Sequence, residues 1–207
     1  MGLYKSFVSQ TRKPEGFLGK VMLSEMNSGH AKMADWALSC LPDLIPERAA
    51  DLGCGGGRNA RELLRRYSGT KVSAIDHSME SVKAAREYNK DMIAAGRCTV
   101  EEGDVSALTL DKSAYDLVTA FETVYFWPGL EKCFRQVAGI LKDGGYFLVC
   151  NECNGMDSAG ARFEKIIDGM RVYTAEQIGE ALEKAGFSDV KTERYPNKPW
   201  IAVIARK

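Results

Sequence analysis

Between positions 51 and 57 the sequence reads Asp51-Leu52-Gly53-Cys54-Gly55-Gly56-Gly57, an acid two residues ahead of a glycine cluster. Ala49-Ala50-Asp51-Leu52 reads as the end of a buried strand, and a helical pattern begins at about Arg58. The cluster therefore forms a strand-to-helix turn, the place where open parallel sheets bind ligands. Glycine turns through backbone shapes that a Cβ disfavours and lets a bulky ligand approach the main chain. A dinucleotide fingerprint wants glycine at its first, third and sixth positions, and the sixth counted from Gly53 is Arg58. A P-loop needs a lysine followed by serine or threonine, which this turn lacks. The carboxylate of Asp51 instead suits a cationic group, such as the amino end of a methionine moiety.

Two further acids fall at successive strand ends. Asp76 closes Val72-Ser73-Ala74-Ile75-Asp76, where a carboxylate can accept hydrogen bonds from both hydroxyls of a ribose. An NAD enzyme uses the same interaction, so Asp76 points to an adenosine ribose rather than to one cofactor. His77 follows it at an expected adenine-edge position. Gly103-Asp104-Val105 comes after the short strand Cys98–Glu101; Asp104 can accept from the exocyclic amine of adenine, and Val105 can pack on the base. Asp51 and the glycine spacing favour S-adenosylmethionine over NAD, and Asp76 with Asp104 supplies places for its adenosine.

A sulfonium carries an electrophilic methyl group, and its transfer needs an acceptor lone pair held in line behind it. A nitrogen acceptor can arrive neutral, whereas a phenol or hydroxyl often needs help losing its proton. The candidates for that side are Glu122, Tyr125 and Trp127, within the segment Phe121–Pro128 that leaves the fourth strand, with lid contributions from Tyr4, Phe17, Met26 and His30. Tyr125 and Trp127 read equally as plugs of the core, and His30 as a helix-surface histidine. The catalytic expectation is Tyr125, Glu122 and His30. Arg162, Lys165 and Arg171 are scattered cations of a kind that usually belongs to a solvated helix face.

These residues need a sheet to position them. The pattern predicts strands ending at Leu52, Asp76, Glu101, Ala120 and Cys150, separated by helices at Arg58–Arg66, between Ser78 and Gly96, and from Leu130 to Leu141. Gly144-Gly145 is read as the stop before the fifth strand. Thr174-Ala175-Glu176-Gln177 is a capping box for a last helix. Val190–Tyr195 and Trp200–Ala205 are joined by Pro196-Asn197-Lys198-Pro199, too short for a crossover helix, so they pair antiparallel. The expected fold is α/β: a doubly wound seven-stranded sheet, mostly parallel, with a C-terminal antiparallel hairpin. Residues 1–42 form an N-terminal helical arm or lid on a single domain of 1–207, with helices near Val21–Asn27 and His30–Cys40.

Composition narrows the function classes. The 207 residues hold 28 Lys and Arg against 28 Asp and Glu, a balance that gives no support to a nucleic-acid binder. No apolar run approaches the ~20 residues of a membrane span, and the first residues lack a secretory signal. A cytoplasmic location is the expectation. Six cysteines sit mostly in apolar patterns, and the spacing Cys150-Asn151-Glu152-Cys153 lacks a second ligand pair, so no metal site is expected.

The motifs as a set resemble the class I S-adenosylmethionine-dependent methyltransferase family: DLGCGGG at 51–57, AID at 74–76, GDV at 103–105, TAFETVYFW at 119–127 and LKDGG at 141–145. With its arm at 16–38 the chain is also similar to uncharacterised bacterial small-molecule methyltransferases. The resemblance implies that positions 51, 53, 55, 57, 76, 104 and 105 contact or shape the cofactor site, and that the segment 121–125 faces the transferring methyl. The full cofactor set expected is Asp51, Gly53, Cys54, Gly55, Gly57, Asp76, His77, Met79, Asp104, Val105 and Phe121. The expected activity is methyl transfer to a small-molecule nitrogen, oxygen or sulfur acceptor by a monomer or homodimer. A noncatalytic adenosyl-ligand-binding protein and an NAD-dependent oxidoreductase are the alternatives.

Overall fold

The computed structural model describes residues 30–156 and 158–207. The helix expected near 21–27 and the lid residues Tyr4, Phe17 and Met26 lie outside them. The elements run α1 (Ala31–Ser39), β1 (Arg48–Leu52), α2 (Arg58–Arg66), β2 (Lys71–Asp76), α3 (Met79–Tyr88), α4 (Lys90–Ala94), β3 (Cys98–Glu102), β4 (Tyr115–Phe121), α5 (Leu130–Ile140), β5 (Leu141–Asn151), α6 (Ser158–Ile166), α7 (Ala175–Lys184), β6 (Ser188–Arg194) and β7 (Ile201–Arg206). They form one seven-stranded sheet of order β3-β2-β1-β4-β5-β7-β6. Neighbours from β3 to β5 pair parallel, and β7 runs antiparallel to both β5 and β6. The α/β doubly wound sheet with its terminal hairpin is thus the architecture expected from the sequence.

Alternation along each strand builds a core on either face. Ala50, Leu52, Val118, Ala120, Phe147, Val149 and Val203 pack with α5 and α7 residues such as Phe134, Val137, Ile178 and Leu182. Ala49, Val72, Ala74, Leu117, Leu148 and Ala202 pack with Met33, Ala37, Leu63 and Val82 from α1, α2 and α3. Burial on both faces explains why the central strands read as continuous apolar runs. The edge strand β6 is mostly exposed and correspondingly polar.

Local signals hold where a side chain completes a backbone bond. Ser78 accepts from the Ser81 N–H at the start of α3, and Thr174 and Gln177 form the reciprocal capping box of α7. Three local expectations are corrected. The helix expected between Ser78 and Gly96 breaks at Asn89, although the apolar spacing continues through Met92. Buried Asn89 donates from Nδ2 to the carbonyls of Gly57 (3.0 Å) and Ala85 (3.1 Å), which ties the helix end to the glycine turn. Leu141 opens β5 rather than closing α5, and Gly144-Gly145 lies inside that strand, where the register with β4 shifts between Tyr115 and Leu117. Lastly, α6 carries Arg162 and Lys165, cations of the kind expected on a helix face, in a stretch for which no helix bounds were predicted.

Candidate functional site

The strand order reverses between β1 and β4, so their carboxyl ends lie side by side at the switch point where such sheets bind ligands. Gly53, Gly55 and Gly57 all take positive φ there. The Gly53 and Cys54 N–H groups both donate to the Ile75 carbonyl, at 2.7 and 3.0 Å, folding the turn over β2. At Gly53, with φ +75°, an added Cβ would lie 2.1 Å from Thr123 Oγ1 and 2.6 Å from Thr123 Cβ. At Gly57 it would lie 2.6 Å from Asn89 Nδ2 and 2.8 Å from Ala85 Cβ. These two glycines therefore answer to close packing against the β4 exit and α3 as well as to backbone shape.

Asp51 is 1% exposed. Thr119, its neighbour on β4, donates to Oδ1 at 2.8 Å, while Oδ2 is buried without a hydrogen-bond partner. Burial pushes its pKa up from 3.8 to about 7; the Thr119 hydrogen bond and the nearby Ala60 N–H oppose that shift, and the charge of Asp76 adds to it. A buried carboxylate with an open oxygen is costly unless a donor or cation arrives.

Asp76 is also buried. Its Oδ2 accepts from the Gly55 N–H at 2.8 Å and its Oδ1 from the Ser78 N–H at 2.9 Å. A carboxylate offers about four acceptor sites, so one remains on each oxygen for a vicinal diol. His77 is exposed, with Nδ1 3.6 Å from Asp76 Oδ1. Met79 is exposed as well. Asp104 lies exposed at the end of β3, and its Oδ1 accepts from the Ser106 N–H at 2.7 Å; that backbone bond holds its pKa below the usual carboxylate value. Val105 is half-buried, whereas Cys54 and Phe121 are buried in the core on the α2 side. Burial and the charges of Asp76 and Asp51 drive the Cys54 thiol well up from its ordinary value, which makes it an inert wall rather than a nucleophile.

A second group sits beside this turn. Glu122, which immediately precedes the Thr123 that meets Gly53, has φ +57°. Its Oε1 accepts from Tyr125 Oη at 3.1 Å and from the Glu152 N–H. Tyr125 Oη in turn accepts from the Cys153 N–H at 3.1 Å, so this buried hydroxyl links the exits of β4 and β5. His30, at the start of α1, brings Nε2 to 3.4 Å from Glu152 Oε2. Ligand atoms of His30, Glu122 and Glu152 lie within 4.8 Å of one another. Burial raises Glu122 to about 7, against the opposing charge of His30. Burial lowers the affinity of His30 for a proton, but the Glu152 hydrogen bond and the charge of Glu122 outweigh it, so its pKa is raised.

The fold thus gathers Glu122, Tyr125 and His30, which are 92 or more positions apart along the chain in the case of His30. Trp127 instead belongs to the core, where its ring lies 5.9 Å from Phe134 and 6.4 Å from Phe147, and its Nε1 donates to Thr123 Oγ1 at 3.2 Å. Asp35 of α1 pairs with Arg58 at 2.6 Å, and Trp36 meets Tyr195 edge-on at 5.3 Å, which docks the helix carrying His30. Sequence reasoning did not single out Thr119, and it reached Glu152 only as part of the segment Asn151–Ser158, which leaves the fifth strand at the same sheet edge. Adjacency of β4 and β5 is the signal that finds Glu152, since residues just past both strands emerge on the same sheet edge. Cys150 and Cys153 are both buried and unbridged, and burial pushes the Cys150 thiol well up.

Residues 49–145 match the methyltransferase domain family. The chain is 25% identical over 167 residues to a sterol 24-C-methyltransferase of Kluyveromyces lactis, an alignment covering 74% of this chain and 45% of that protein. The chain therefore spans less than half the length of that relative. Among solved structures, a S-adenosylmethionine-dependent methyltransferase of Thermotoga maritima superposes with a TM-score of 0.72 at 20% identity, covering 92% of this chain and 96% of that one. Human N-acetylserotonin methyltransferase, solved with S-adenosylmethionine, gives a TM-score of 0.75 at 19% identity over 90% of this chain and 55% of its own.

Proposed function

We propose that this chain, which has the class I S-adenosylmethionine-dependent methyltransferase fold and matches the methyltransferase-domain family over residues 49–145, methylates a small-molecule acceptor and releases S-adenosylhomocysteine. The observation that carries the proposal is Asp51, a buried carboxylate with one unpartnered oxygen at the foot of the glycine turn. The residues fit the cofactor. Asp51 offers its open oxygen to the methionine amino group, the glycine turn gives close main-chain approach, and Asp76 keeps an acceptor site on each oxygen for the ribose. Asp104 and Val105 take the adenine end, with His77 and Met79 at its exposed border.

S-adenosylmethionine supplies an electrophilic sulfonium methyl when bound. The chain's own residues hold the two partners. Thr119 fixes the rotamer of Asp51, and Gly55 and Ser78 fix that of Asp76. Tyr125 and the Glu152 N–H aim Glu122, whose turn abuts Gly53, while Glu152 orients His30. His30 is the group placed to take a proton from an acceptor, because a neighbouring carboxylate both orients an imidazole and raises its basicity. Most of the rate then comes from orientation and exclusion of water.

No described helix is long and apolar enough to cross a membrane. The six unbridged cysteines suit the reducing cytoplasm, and the balanced charge suits a small acceptor better than a polyanion. Calorimetric titration with S-adenosylmethionine, S-adenosylhomocysteine and NAD tests the reading. Saturable binding of the two sulfur compounds with little NAD binding is the expected result. Preferential NAD binding would redirect the assignment to hydride transfer. Cofactor binding without methyl transfer to any acceptor would favour a noncatalytic binding protein.

A further inference from the structure

We propose that the acceptor is a small amine, bound as its ammonium by Glu122 and Glu152 and deprotonated by His30. This rests on the methyl-transfer reading and adds the substrate class. The argument starts from what adjoins the donor turn. Thr123, next to Glu122, packs against Gly53, so the β4 exit borders the turn proposed to hold the methyl donor. Two carboxylates and one imidazole are gathered there, their ligand atoms within 4.8 Å of one another. Among the described residues no lysine or arginine forms an ion pair with Glu122 or Glu152; Glu152 pairs with His30. Lys198 lies close enough to Glu152 to influence its charge, without an ion pair.

Burial disfavours charge on Glu122, and the charge of His30, the Glu152 N–H and the Tyr125 hydroxyl oppose that shift. Glu122 is held at a positive φ by Tyr125 Oη and the Glu152 N–H, both on Oε1, which leaves its second oxygen free of those bonds. Glu152 is oriented by His30. Asn151, just before it, is fully buried with neither amide atom partnered, so polar capacity at the end of β5 is unspent. A phenolate, thiolate or carboxylate acceptor brings a like charge to these carboxylates, whereas an ammonium brings an opposite one.

The chemistry balances. The ammonium gives one proton to His30, and the freed nitrogen lone pair forms the new C–N bond. The methyl–sulfur bond breaks with its electron pair going to sulfur, which turns the sulfonium into a neutral thioether. The product leaves as the N-methylammonium, and His30 returns its proton to solvent.

The test uses the full chain with S-adenosylmethionine and a size-matched panel of aralkyl and alkyl amines, phenols, thiols and carboxylic acids. Methylated product is read by mass and cofactor turnover by S-adenosylhomocysteine formation. Amines should be methylated in preference to the other classes. Glu152→Gln should raise KM for the amine by about tenfold, the loss expected for one charged hydrogen bond, while calorimetric affinity for S-adenosylmethionine stays unchanged. Glu152→Asp should recover part of the loss. Methylation of phenols, thiols or acids with amines inert would overturn the amine assignment and leave methyl transfer standing, as would an unchanged KM in Glu152→Gln. Tight Mn2+ binding that Glu152→Gln abolishes would also overturn it, by giving the carboxylates another occupant. Absence of S-adenosylmethionine binding would remove the methyl-transfer reading itself and the amine assignment with it.

Discussion

Asp51→Asn separates the cost of a buried charge from its use. Asn keeps the shape and can still accept the Thr119 hydrogen bond at Oδ1. In the wild type, burial lifts the Asp51 pKa from 3.8 to about 7. The folded state therefore keeps a proton that the unfolded chain has lost between those values. Stability from this group is fully present below pH 3.8 and disappears as pH rises towards 7. Three units at 1.36 kcal/mol each give a total of about 4 kcal/mol. From about pH 5.5 to about pH 8 the loss is about 2 kcal/mol, which for a chain of this size is a fall in Tm of about 4–8 °C. Thermal melts of ligand-free wild type and Asp51→Asn at both pH values measure it. The variant should lack that part of the decline and be the more stable at the higher pH. Calorimetry should show S-adenosylmethionine affinity reduced about tenfold or more, because a charge-assisted bond to the amino group is gone. Parallel pH profiles for the two proteins would refute the buried-charge argument, and unchanged affinity would refute the amino-group assignment.

Gly53→Ala places a Cβ within 2.1 Å of Thr123 Oγ1 at a φ of +75°, so it should cost about 2 kcal/mol or more and weaken cofactor binding in the same titration. The double variant Gly53→Ala with Thr123→Gly should regain part of the stability in urea melts, since the clash then has no partner atom. Asp76→Ala should abolish measurable S-adenosylmethionine binding while circular dichroism stays native; near-normal affinity would remove the ribose role. Tyr125→Phe strips one donor from Glu122 Oε1 and an acceptor from the Cys153 N–H, so it should lower stability by about 1–3 kcal/mol. It should also reduce kcat with cofactor affinity retained, whereas unchanged turnover would make the hydroxyl purely structural.

Much of this protein was legible in one dimension because the signals are local. Strand runs buried on both faces, caps such as Ser78 and Thr174, and a link too short for a crossover are each written within a few residues. The acids at the ends of β1, β2 and β3 were legible too, since strand ends of a parallel sheet share an edge once the α/β alternation is recognised. What stayed hidden depends on neighbours distant in sequence. Asn89, at the junction of α3 and α4, has its side chain tied to the Gly57 carbonyl, 32 positions earlier. Trp127, open to two readings, goes to the core because Phe134 and Phe147 enclose it. Glu152 was legible only as part of the segment leaving the fifth strand; the pairing of β4 with β5 and the docking of α1 set it between Glu122 and His30. The sequence by itself determined the sheet, the turn and the acids along its edge, because backbone periodicity and glycine are local physics. Only the tertiary structure decided which oxygen of Asp51 is left open and which carboxylates share a mouth, because burial and charge proximity are properties of packed neighbours.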